Sequence, residues 1–181
     1  MQNIQSQERE LFVISKYTAH ANGLFIGPEM ETHCAVGKGS LVPVTEKKEG
    51  DGASPIGAWK TRRLFYRPDR VIRPETGLPI VEITTQMGWC DDPDHPSYNT
   101  LVSLPFEASH ERMWRDDHVY DVVVELGYND DPIMPHAGSA IFMHIARPDF
   151  KPTEGCVALI LSDMLTVCAN LTPESVIAFS T

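Results

Sequence analysis

His144 and Cys156, both within the stretch Ile141–Leu161, have the residue types and placement of a base and a nucleophile. An apolar run carries His144, a short polar loop follows, and Gly155-Cys156 opens a second apolar run. A cysteine attacks as its thiolate, which at an ordinary pKa of ~8.5 is only a few per cent populated at pH 7. A neighbouring imidazole can take that proton, and lowering the thiol by two pKa units corresponds to roughly 2.7 kcal/mol. The sequence therefore predicts an exposed, acidified thiol at the tip of a glycine-containing loop. With no side chain at Gly155, the amides of Glu154, Gly155 and Cys156 can turn together toward a tetrahedral oxyanion. One well-placed donor there is worth about 3 kcal/mol. Taken singly, His144 also reads as a satisfied core histidine and Gly-Cys as an ordinary dipeptide. Their joint placement on one strand and one loop favours cysteine-based acyl transfer.

The elements that must position this pair are mostly short strands. Leu11–Ser15 and Leu24–Ile26 flank Ala19–Gly23, whose Asn-Gly signals a first hairpin. His33–Gly37 reads as a further short strand, with Cys34 as a small buried apolar residue. Gly37 to Gly57 is rich in glycine, serine, proline and charge, so its backbone can bend closely around something. A phosphate loop is the rival reading, weakened because no Gly-Lys-Ser/Thr ending and no helical pattern follows. Ala58–Tyr66 resumes as a strand. Residues 67–118 carry many prolines and one recognisable strand, Ile80–Ile83. An excursion of that length inside a compact domain is expected to be functional, with Trp89, Tyr98 and Trp114 as cover for a cleft. His118–Gly127 is the clearest strand, with Val122, Val124 and Leu126 on one face. On the next, Ala140–Ala146, the residues Ile141, Met143 and Ile145 share a face and Phe142 shares the other with His144. Ser162–Leu171 reads as a helix capped by Ser162, and Ser175–Phe179 as a closing strand. The expected fold is mainly β, a sandwich or open barrel with one or two short helices and long loops, forming one domain over residues 1–181.

Composition removes other functions. A formal net charge of −10 over 181 residues argues against a nucleic-acid binder, which needs phosphate-neutralising patches. The basic run from Lys60 to Arg73, which includes Arg62, Arg63 and Arg67, reads either as a solvated surface or as a local anion site. The four cysteines are widely spaced with no Cys-x-x-Cys pair, so free thiols are expected rather than a disulfide framework. Cys90, Asp92, Asp94 and His95 could be read as metal ligands, but no second ligand group stands at finger-like spacing. An Asp-rich turn is the simpler account. No metal or cofactor is therefore expected. No stretch is long enough to span a membrane, and Met1–Glu10 shows no basic region of a secretory leader.

Ile141-Phe-Met-His144 followed by Thr153-Glu-Gly-Cys-Val157 resembles the signature of the YkuD-type L,D-transpeptidases, a histidine ahead of Ser/Thr-x-Gly-Cys-hydrophobic. Gly52-Ala-Ser-Pro-Ile-Gly57 is similar to that family's upstream Thr-Pro-x-Gly segment, and the likeness spans about residues 37–165. The resemblance implies a mainly β catalytic domain acting on peptidoglycan tetrapeptide stems through a thioester, inhibited by carbapenems and working in the periplasm or cell envelope. It makes Cys156 the nucleophile, His144 the base, Gly155 with its neighbours the oxyanion site and Thr153 the brace of the loop. Where the family usually carries Arg or Asn, Ala158 stands here, and Glu154 replaces a common histidine. A substrate carboxylate must then be held from elsewhere, by Arg147 or by one of Arg62, Arg63 and Arg67, with Glu154 and Trp89 completing the expected substrate site. A peptide hydrolase on the same scaffold and a non-catalytic cell-wall peptide binder are the alternatives.

Overall fold

The computed structural model describes residues 16–181. In chain order the strands are β1 (Lys16–His20), β2 (Leu24–Gly27), β3 (Met30–His33), β4 (Leu41–Val42), β5 (Ser54–Pro55), β6 (Gly57–Tyr66) and β7 (Ile80–Glu82). They continue with β8 (Met87–Cys90), β9 (Leu101–Ser103), β10 (His110–Arg112), β11 (Val122–Leu126), β12 (Phe142–Ile145) and β13 (Val157–Leu159). Helix α1 (Leu161–Ala169) and β14 (Val176–Ser180) complete the chain. The protein is mainly β, as its short alternating runs predict.

One nine-stranded sheet runs β13-β12-β11-β6-β14-β1-β2-β3, with β7 paired to β6 off that path. It nearly closes on itself. Beyond β3, Ala35 and Ala158 exchange backbone hydrogen bonds at 2.9 Å, and Gly37 bridges Thr153, so the open edge comes round to the Cys156 loop. The expected hairpin forms at the Asn22-Gly23 turn between β1 and β2. The run Leu11–Ser15 assigned to it lies outside the described residues. His33–Gly37 is no independent strand: His33 ends β3, and Ala35 and Gly37 make these single bridges.

Side-chain alternation sorts the core into two clusters, one on each face of the sheet. Val122, Val124, Met143, Ile145, Val157 and Leu159 pack with Met164, Val167 and Cys168 of α1. On the other face Val123, Phe142 and Cys156 pack with Phe65, Trp89 and Met113. That second cluster is roofed by the excursion 67–118, which is more regular than its prolines suggest. β10, β8 and β9 make a separate three-stranded sheet. Each strand is only three or four residues long, too short for a period to show in sequence. The helix appears where predicted, but Ile160 occupies the N-cap position and no side chain caps it.

Candidate active site

Cys156 and His144 reach one cavity because their strands are neighbours. β12 and β13 run parallel with His144 opposite Ala158, two residues past Cys156, so the imidazole and the thiol project to the same face. The cavity, of about 270 Å³, is lined by both, together with Glu111, Arg115, Tyr120 and Arg147.

The tautomer of His144 follows from its contacts. Its Nδ1 lies 2.9 Å from the Ile145 carbonyl, which can only accept, so Nδ1 carries the proton and Nε2 is the basic nitrogen. The Tyr120 ring stands edge-on to the imidazole, with centroids 5.5 Å apart. Tyr120 is itself fixed by donating its hydroxyl to Glu111 Oε2 at 2.6 Å.

Cys156 is buried, 7% exposed, rather than projecting from a loop tip. Its thiol donates to the Ala140 carbonyl at 3.2 Å and its sulfur accepts from the Phe142 amide at 3.3 Å. The expected acidification is absent. Burial pushes the thiol up to about 12, and the Glu111 charge adds to that. Burial likewise draws His144 down to about 4, with Arg147 and Arg115 acting in the same direction. No ion pair compensates for desolvation, so the resting pair is uncharged thiol and uncharged imidazole.

A stability consequence follows. The folded pKa of His144 lies below its unfolded value of 6.5, so folding favours the neutral ring. Its contribution is complete above pH 6.5 and is lost as pH falls toward 4. Over that window wild type is expected to lose about 3 kcal/mol more than His144→Gln, from the pKa difference. Urea unfolding of both proteins at pH 7 and pH 4 checks this, and equal losses would sink it.

The loop that carries Cys156 is held from below by the glycine-rich segment. Ser54, fully buried, donates to the Gly155 carbonyl at 2.7 Å and accepts from the Gly37 amide at 2.9 Å. The upstream Ala-Ser-Pro segment thus bends around the loop itself, through bonds worth about 1 kcal/mol each. Thr153 closes the turn from within: its hydroxyl donates to the Cys156 carbonyl at 2.7 Å and accepts from the Gly155 amide at 3.1 Å.

Of the residues expected to touch substrate, Arg147 and Glu154 line the cavity. Among the described residues Arg147 makes one long contact, 3.4 Å to Asp117, which leaves most of its donors open to them. Glu154 pairs with Lys38 at 2.8 Å in a solvent-exposed bridge that adds little stability. Arg62 and Arg63 lie away from the cavity lining, paired with Asp130 and Glu125. Arg67 is buried, stacked over Trp114 and bound to Asp69. Trp89 is no cleft cover. It is 3% exposed, edge-on to Phe142, and donates its indole N–H to Asn99 Oδ1 at 3.0 Å. The same oxygen accepts from the Ala140 amide at 3.0 Å, so Trp89 and Asn99 support the residue whose carbonyl holds the thiol.

Asn99, Glu111, Arg115 and Tyr120 were not singled out from sequence. Glu111 and Arg115 flank Met113 in the aperiodic excursion, and Tyr120 hides in a strand that reads as core. Around Asp92 the chain makes the simple turn, the Asp94 amide donating to Asp92 Oδ1 at 3.1 Å. Among the described residues no three ligating side chains converge on a metal position, and no helix is long and apolar enough to cross a membrane.

A family model described as the L,D-transpeptidase catalytic domain, YkuD, matches residues 13–177. No curated protein and no solved structure matches the chain significantly.

Proposed function

Because the chain belongs to the YkuD family of L,D-transpeptidase catalytic domains, we propose that it is a cysteine-dependent L,D-transpeptidase acting on peptidoglycan tetrapeptide stems. The observation that carries this is one cavity lined by both Cys156, just ahead of β13, and His144 of the neighbouring β12, whose Nδ1 is committed to the Ile145 carbonyl. The stem's scissile carbonyl enters beside Cys156. The thiol proton leaves the Ala140 carbonyl for His144 Nε2 as sulfur attacks, so the thiolate forms in the step of attack. The tetrahedral oxyanion collapses, the C–N bond breaks, and the terminal D-amino acid departs with the proton from His144. A thioester on Cys156 remains.

With the Gly155 amide occupied by Thr153, the amides of Glu154 and Cys156 serve the oxyanion. Arg147 takes the substrate carboxylate in place of the arginine that Ala158 displaces, since its guanidinium is in the cavity and mostly uncommitted. Activity on peptidoglycan implies a site of action in the cell envelope.

Mass spectrometry after exposure to a carbapenem is expected to find one acyl adduct, on Cys156. With stem substrates Arg147→Gln is expected to raise KM about tenfold, the cost of one charge-assisted contact. No adduct together with no turnover of stems would leave a non-catalytic peptide binder as the reading.

A further inference from the structure

We propose that Glu111 is the residue that receives the amine acceptor: its carboxylate binds the acceptor's primary ammonium beside the thioester and takes a proton from it. This rests on the thioester reading above and concerns its second half-reaction. Glu111 lies in the wall of the cavity that holds Cys156 and His144. Its Oε2 accepts from Tyr120, whereas among the described residues no donor reaches Oε1.

Apart from Arg147, the other charged side chains lining that cavity have partners among the described residues. Glu49 accepts the Tyr98 hydroxyl at one oxygen and the Gly50 amide at the other, 3.2 Å away, and Lys47 is tied to the Lys48 carbonyl and to Asp51, both at 2.8 Å. Arg115 grips Asp117 through two bonds of 2.8 Å, and Glu154 faces Lys38. Arg147 keeps spare donors for an anion, and Glu111 keeps a spare acceptor for a cation. The cavity therefore offers a carboxylate-binding position and a separate ammonium-binding position with the thiol in the same space.

The chemistry needs such a group. At pH 7 a primary amine of pKa ~10.4 is almost entirely protonated and carries no lone pair for attack. Burial raises the Glu111 carboxyl above its ordinary value, with Asp91 adding to the shift, which brings it closer to the amine it must deprotonate. In the step itself R–NH3+ gives one proton to Glu111, and the freed lone pair forms a C–N bond to the thioester carbonyl carbon. The attacking nitrogen passes its second proton to His144. The C–S bond breaks, the sulfur takes that proton back from His144, and Glu111 releases its own to solvent. The products are an amide and free Cys156 thiol.

The test measures how the Cys156 acyl-enzyme, formed from a tetrapeptide stem, divides between amide and hydrolysed product, with Nα-acetyl-lysine as the amine. In Glu111→Gln, which keeps an acceptor for Tyr120, the acyl-enzyme should still form and the amide-to-acid ratio should fall at least tenfold. In Glu111→Asp, which keeps the charge, the ratio should stay within about threefold of wild type. An unchanged ratio in the Gln variant overturns the proposal while leaving the thioester reading intact. So does loss of acylation in both variants, which would make Glu111 a structural support of Tyr120. Failure of wild type to form an acyl-enzyme would instead overturn the thioester reading, and this proposal with it.

Discussion

Cys156→Ala is expected to lower transpeptidation of peptide stems by at least about 10⁴-fold and to abolish the carbapenem adduct, because binding and oxyanion stabilisation alone supply only a small residual rate. Cys156→Ser is expected to be nearly as inactive. Their stabilities should differ. A serine hydroxyl can still donate to the Ala140 carbonyl and accept from the Phe142 amide, the two bonds that now hold the thiol at 3.2 and 3.3 Å. Alanine leaves both buried groups unpaired, at a cost of about 1–3 kcal/mol. Urea unfolding of the three proteins beside a stem-turnover assay reads both effects. Turnover within tenfold of wild type in the alanine variant would remove Cys156 from the chemistry.

The uncharged resting pair also predicts how the proposed reaction differs from one that starts with a preformed thiolate. A thiol pushed up to about 12 by burial, beside an imidazole drawn down to about 4, is expected to alkylate slowly. In the proposed reaction it becomes nucleophilic only when a bound carbonyl lets proton transfer and attack occur together. Cys34, also pushed up to about 12 by burial, lines a pocket with no histidine among its described lining residues. What separates the two thiols is the neighbouring base and the cavity rather than acidity at rest.

This distinction marks the limit of what the sequence discloses. His144 and Cys156 are legible because a parallel strand pair brings an intact local motif together, and alternation along β12 places Phe142 and His144 on one face. Ser54 was legible only as part of a flexible segment, since its partners Gly155 and Gly37 are distant in the chain. The burial of the site was not legible at all. It depends on a roof from β8 and β10, whose three- and four-residue strands carry no periodicity. The same roof turns Trp89 inward and brings Glu111 toward Tyr120. Charge pairing misled in the opposite sense: Arg62 and Arg63 form a conspicuous basic run, yet each has a carboxylate partner away from the cavity.

Gly155→Ala is expected to be the most damaging substitution that leaves every chemical group of the site in place. Gly155 has φ +134°, a region that side-chain-bearing residues rarely adopt, and an added Cβ would lie 2.8 Å from the Ala53 carbonyl oxygen and 3.1 Å from Ile141 Cδ1. Neither neighbour can yield cheaply. Ala53 belongs to the segment that Ser54 pins to Gly155 itself, and Ile141 is buried in the core just ahead of β12. Backbone strain of about 1–3 kcal/mol and overpacking of a similar size should together remove about 2–6 kcal/mol of stability. The loop relieves part of this by shifting Cys156 relative to His144, and a displacement near 1 Å costs on the order of 10²-fold in rate. Gly50→Ala is the control that isolates the cause. Gly50 also has a positive φ, +73°, but a Cβ there meets nothing within 4 Å, so only the local conformational cost of about 1 kcal/mol applies. Denaturant midpoints and acylation rates of the two variants should therefore separate widely. If Gly155→Ala were as stable and as fast to acylate as Gly50→Ala, the close seat of the nucleophile loop on Ala53 would have no part in aligning the thiol with its base.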